Sequence, residues 1–85
     1  MKVLLTAKAQ KDVSSSPSLT APSLGNVVSR LERLDLKNLA STPRVHRVSG
    51  TAEKIYVLRE RGMRVFFTSK GTDIVVLSIE DSDGV

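Results

Sequence analysis

Residues 54–79 read KIYVLRERGMRVFFTSKGTDIVVLSI, and the pattern in that stretch decides the fold. Gly62 and Gly71 punctuate three runs rich in Val, Ile, Leu, Tyr and Phe. Runs of this composition between glycine-containing turns read as β-strands. The spacing predicts strands over 54–59, 63–68 and 74–79, joined by turns at Arg61-Gly62 and at Lys70-Gly71-Thr72-Asp73. Links this short make neighbouring strands antiparallel. One step upstream, 44–48 predicts a further strand that leads into a turn at Ser49-Gly50.

Before Arg44 the period becomes helical. Leu24, Val27, Val28, Leu31 and Leu34 recur at the spacing of one helix face, and Leu36 and Leu39 extend it toward Pro43. Pro17, within a run of serines, separates this helix from an earlier one over 7–13, which Thr6 is placed to cap. Residues 1–5 predict a short first strand. The expected architecture is α+β: a short N-terminal strand and two helices packed on a C-terminal antiparallel β-meander. With 85 residues, the expectation is one domain over 1–85.

Composition narrows the chemistry. The chain has no cysteine and one histidine, His46, so thiolate zinc sites, cysteine nucleophiles and histidine-rich metal centres are not expected, and no cofactor is predicted. His46 has the chemistry of a general base, but it lies among arginines with no orienting carboxylate beside it in sequence. The apolar run at 3–5 stops at Thr6, too short for a signal peptide. No apolar stretch nears the roughly 20 residues that span a bilayer, so a cytoplasmic protein is expected.

The net charge of +4 is unevenly spread. Arg44, Arg47, Lys54, Arg59, Arg61, Arg64 and Lys70 crowd the strand region against only Glu53 and Glu60. Asp73, Glu80, Asp81 and Asp83 then reverse the sign. A basic patch of this kind suits a polyanion or an acidic protein, and reads equally as a solvated strand surface.

Alternation divides each strand into two sets. Tyr56 and Leu58, then Met63, Val65 and Phe67, then Val75, Leu77 and Ile79 form the set expected to pack on the helices. Ile55, Val57, Phe66 and Val76 form the apolar part of the opposite set, among Arg59 and Arg64. A face this apolar needs a cover, and an amphipathic segment carrying acids fits it. Those four residues are therefore the candidate partner-binding face.

On Gly50, Ile55-Tyr56-Val57-Leu58-Arg59, Gly62-Met63-Arg64-Val65-Phe66-Phe67 and Asp73-Ile74-Val75-Val76-Leu77-Ser78-Ile79, the chain resembles the RelE/ParE toxin superfamily. The resemblance implies a bacterial toxin of a type II toxin–antitoxin pair, neutralised by an acidic, partly disordered antitoxin. RelE-like members cut mRNA on the ribosome, and ParE-like members poison DNA gyrase. The first of these is the leading expectation. It makes the chain an mRNA endoribonuclease whose sheet arginines bind RNA while the 2′-hydroxyl attacks. Arg64 matches the family's sheet arginine and is the catalytic candidate, with Arg59, Arg61, Arg47 and Lys54 as RNA- and phosphate-binding candidates.

The chain departs from the ribonuclease pattern at two places. Ile55 and Val57 stand where RelE carries lysines. Glu80-Asp81-Ser82-Asp83-Gly84-Val85 stands where the ribonucleases present a basic residue and then a tyrosine. Acids there repel a phosphate. Two alternatives stay open: a gyrase poison, and a catalytically degenerate member acting as a protein-binding or regulatory module. Arg64 then reads as the ion-pair partner of an antitoxin acid or of the acidic residues that follow the last strand.

Overall fold

The computed structural model describes residues 2–15, 21–35, 37–60 and 62–81. Along the chain run β1 (Val3–Leu5), α1 (Ala7–Ser15), α2 (Ala21–Glu32), a 3₁₀ turn (Leu39–Ser41), β2 (Val45–Arg47), β3 (Tyr56–Glu60), β4 (Met63–Lys70) and β5 (Asp73–Asp81). The break expected at Pro17 and the extension through Leu36 lie outside the described residues. At Leu39 the backbone forms the 3₁₀ turn, not a further turn of α2. None of the described helices is long and apolar enough to cross a membrane.

The five strands form one sheet in the order β1-β5-β4-β3-β2. β2 to β5 make the expected antiparallel meander. Its two tight turns each carry a left-handed glycine, Gly62 at φ +77 and Gly71 at φ +61, a conformation glycine adopts without steric penalty. β1 is the short N-terminal strand expected from the sequence, and the structure shows where it docks. It joins the sheet as a fifth member, parallel to β5, with Val3 opposite Ile74 and Leu5 opposite Val76. No short link joins β1 to β5, since both helices and strands β2 to β4 lie between them, so no hairpin requires that pair to be antiparallel.

β1 ends at Leu5, and α1 takes over the exposed edge of β5. The Thr6 N–H donates to the Val76 carbonyl at 3.0 Å, and Thr6 Oγ1 donates to the Leu77 carbonyl at 3.0 Å. Asp12 Oδ2 accepts from the Ile79 N–H at 3.0 Å. Thr6 Oγ1 also accepts from the Ala9 N–H at 3.1 Å, the N-cap expected from the sequence. One short helix thus continues the work of a short strand, pairing backbone groups that would otherwise be left at a sheet edge.

One irregularity in β5 decides which residues are core. Phe67 pairs with Val76, but Phe66 pairs with Ser78, so Leu77 is an extra residue opposite β4. Such a bulge reverses the alternation on the strand that carries it. Ile74, Val76 and Ile79 therefore face Phe67 and Val65 in the core, at 5% exposure or less. This corrects two expectations. Val76 is a core residue and no part of the candidate partner-binding face, while Val75 and Leu77, expected inside, are half-buried and outside the core cluster. The physical reason is Ser78. A regular hairpin that kept Val76 inside would also turn Ser78 inside, whereas the bulge substitutes Ile79.

Both helices cover this face. Ala9 of α1, and Val27 and Leu31 of α2, are buried with Val65, Phe67 and Leu58, and Val13 and Leu34 pack at the margin. Val45 and Leu39 close the far end. Tyr56 stacks on Phe67 with ring centroids 5.8 Å apart.

The bond from Asp12 to Ile79 gives a stability prediction. That hydrogen bond first, and then Lys8, 3.1 Å away, hold the Asp12 carboxyl below its ordinary value of 3.8 against the opposing effect of burial. Asp12→Ala removes an ionised acceptor from a backbone N–H and is expected to cost about 1–3 kcal/mol at neutral pH. A lowered native pKa contributes stability that is fully present above the ordinary, unfolded value and is lost as pH falls through the native one. The urea midpoints of wild type and Asp12→Ala should therefore differ at pH 6 and converge in acid. A constant gap from pH 6 into that range would show that Asp12 acts through packing, not charge.

Candidate functional site

Of the candidate residues, Arg59, Arg64, Ile55, Val57 and Phe66 lie on the sheet face turned away from the helices, and the register fixes their layout. Residues paired across neighbouring strands share a face. One row runs His46, Val57, Phe66, Ser78 across β2, β3, β4 and β5. The next runs Arg59, Arg64, Glu80 across β3, β4 and β5. Ile55, just before β3, falls on the same side by alternation, and its carbonyl accepts from the Val48 N–H at 2.8 Å. Val57, Phe66 and Ile55 are half-buried, and His46 is exposed beside Val57. Toward β1 the face continues through Thr68 and Val75 to Leu4, a large apolar side chain 47% exposed.

The five basic candidates do not form one cluster. Arg59 and Arg64 lie directly opposite each other. Arg61 lies outside the described residues. Arg47 pairs with Tyr56, whose other neighbour is the buried Phe67, so it belongs to the helix-side face. There it lines a shallow recess with Val48, Ser49 and Gly50. Lys54 is exposed in the connection before β3, and its carbonyl accepts from Thr68 Oγ1 at 2.9 Å. Thr68 is four residues along β4 from Arg64, roughly 13 Å at the usual rise per residue.

Arg64 is the most constrained of the set. Its Nη2 lies 3.6 Å from Glu80 Oε1, with the two side chains 40% and 47% exposed. Its Nε is buried and has no hydrogen-bond partner among the described residues. The guanidinium is thus enclosed at its root, reaches solvent at its tip, and meets a carboxylate there. The bulge makes this meeting. Counting back from the Lys70–Asp73 pair, an unbroken hairpin would set Arg64 opposite Ile79, and the extra residue moves it to Glu80. The row Arg59–Arg64–Glu80 holds two positive groups and one negative, a local excess that attracts an anion.

Among the described residues no three His, Cys, Asp or Glu side chains come together as a metal site. His46 has its row neighbours Val57 and Phe66 between it and Ser78.

No protein-family model matches the sequence, and no curated protein matches it. Solved structures do share the fold. A chain of the archaeal RelE–RelB complex from Pyrococcus horikoshii superposes with a TM-score of 0.68 at 17% identity, over 99% of this chain and 97% of that one. A toxin from Helicobacter pylori, determined as a copper-bound point mutant, superposes with a TM-score of 0.69 at 16% identity, over 100% and 98%. A conserved hypothetical protein from the same organism gives 0.60 at 15% identity, over 98% and 96%. Coverage is nearly complete in both directions each time, so the likeness concerns the whole α+β architecture.

Proposed function

We propose, from the RelE-like toxin fold that spans this chain, that it is the toxin of a type II toxin–antitoxin pair, held in check by an acidic antitoxin protein. The observation that carries this reading is the whole-chain likeness to a chain of a RelE–RelB complex. The sheet face supports it independently. Half-buried Ile55, Val57 and Phe66 beside Arg59 and Arg64 suit a segment with apolar and acidic side chains.

For the action of the free toxin, the reading favoured by Arg64 is cleavage of mRNA on the ribosome. A ribose 2′-hydroxyl loses its proton to solvent as its oxygen attacks the adjacent phosphorus. The P–O5′ bond breaks, the 5′-oxygen takes up a proton from solvent, and a 2′,3′-cyclic phosphate results. Negative charge builds on the non-bridging oxygens, where a guanidinium with a buried root and an exposed tip stabilises it. Arg59, directly opposite, adds a second positive charge. The Glu80 carboxylate 3.6 Å from Arg64 favours a second reading, in which the same face binds a protein target such as DNA gyrase, or a regulatory partner, without cutting RNA.

Induced expression in a bacterial host tests the toxin assignment. The expected result is growth arrest, relieved by co-expression of an antitoxin encoded beside the gene. Unimpaired growth despite an abundant, folded product would remove the assignment and leave a binding module.

A further inference from the structure

We infer that Glu80 is a built-in competitor for the Arg64 guanidinium, so that this sheet face takes up an anionic group only by displacing an internal carboxylate. The inference rests on reading the outer sheet face as the working surface, and it concerns the control of that surface.

Three observations carry it. Arg59 and Arg64 are cross-strand partners, and like charges directly opposite are unfavourable unless something negative lies between or beside them. The bulge at Leu77 sets Glu80 in the same row, on the far side of Arg64, with Oε1 3.6 Å from Nη2. Finally, Arg64 Nε is buried without a partner among the described residues, so no second hydrogen bond ties the guanidinium to Glu80 or holds it back from an incoming anion.

A phosphate or sulfate approaching this row meets two guanidinium groups and one carboxylate. Binding to Arg64 alone costs the ion pair with Glu80 and sets two anions against each other. With the Glu80 carboxylate replaced by an uncharged side chain, both arginines are available to one anion, as the two donors of a clamp. Glu80 and Arg64 are each about half exposed, so the contact is weak enough for a strong anion to exchange into it. The acid thus lowers the affinity of the face for isolated anions without abolishing it. It favours ligands that bring several phosphates or further contacts.

The test follows the Arg64 Nε–H resonance in ¹⁵N-labelled protein during titration with sodium sulfate at constant ionic strength. Glu80→Gln should half-saturate at about 2–5-fold lower sulfate than wild type, the range that exposed ion pairs support. Glu80→Thr, uncharged and suited to a strand, should behave alike and guards against an effect peculiar to glutamine. Glu32→Gln, on an exposed position of α2, removes the same charge at a distance and should shift the midpoint by less than about 1.5-fold because salt screens it.

Equal midpoints for the Glu80 and Glu32 variants would overturn the inference. So would a resonance that sulfate leaves unmoved in wild type and both Glu80 variants. Neither result depends on toxicity, so the growth experiment and this titration can fail separately.

Discussion

Phe67→Ala should bring the domain to the edge of unfolding at 25 °C, while Phe66→Ala, one residue away, should leave it folded. Phe67 is fully buried at the centre of the sheet, stacked on Tyr56 and facing Val76 across the bulge. Truncating a buried phenylalanine costs about 3–5 kcal/mol. A domain of 85 residues has roughly 4–13 kcal/mol in all, at the usual stability per residue. With only three large rings in the chain, little else can close the cavity. Phe66 is half-buried on the opposite face, where substitution should cost about 1 kcal/mol. Urea midpoints of the two variants give the comparison. Equal losses would mean that the outer face is as tightly covered as the core.

The second large effect concerns activity. Arg64→Ala should fold normally, because an exposed ion pair adds at most about 1 kcal/mol to stability. It should nevertheless lower ribosome-dependent mRNA cleavage by about 10²–10³-fold, the usual loss when one donor to a developing oxyanion is removed. Arg64→Lys should restore little, since an ammonium group cannot reproduce a planar fork. Primer extension on ribosome-bound mRNA reads the cleavage, and circular dichroism checks the fold. Growth arrest that persists in Arg64→Ala with intact mRNA would move the assignment to the non-nucleolytic reading, for which DNA supercoiling is the next measurement.

The meander is readable because its turns are marked by Gly62 and Gly71 and its strands by dense β-formers. The helix face through Val27 and Leu31 is equally plain. What alternation does not reveal is the parity of β5. Neither Ile74/Val76/Ser78 nor Val75/Leu77/Ile79 is free of conflict, since the first set includes a serine and the second would leave Val76 outside. A bulge resolves the conflict by taking the best of both, and that choice depends on the packing of Phe67 and Val65. Strict alternation therefore puts Val76 wrongly on the outer face, whereas charge alone already offers Arg64 an acid after the last strand, and Glu80 is that acid.

The candidate site is legible in part for a related reason. Composition marks arginines but not the side of a sheet on which they lie. Arg59 and Arg64 fall together because the Glu60–Met63 turn fixes their register. Arg47 looks equivalent in sequence, yet its pairing with Tyr56 sends it to the helix side. The parallel placement of β1 leaves no local signal, because Val3–Leu5 suits either edge of the sheet.

That placement of β1 matters for the order in which the molecule assembles. β3, β4 and β5 close through two-residue turns and can zip together in about 1–10 μs per hairpin. The clasp at Thr6 and Leu77 joins residues 71 apart and must wait for a long loop to close. The segment from β1 to Asp12 is therefore expected to dock last and to detach first. While it is away, β5 shows a bare edge along Ile74 to Ile79, a template for strand pairing between molecules. Kinetically, the first residues of the chain act as the latch that keeps this sheet from finding another one.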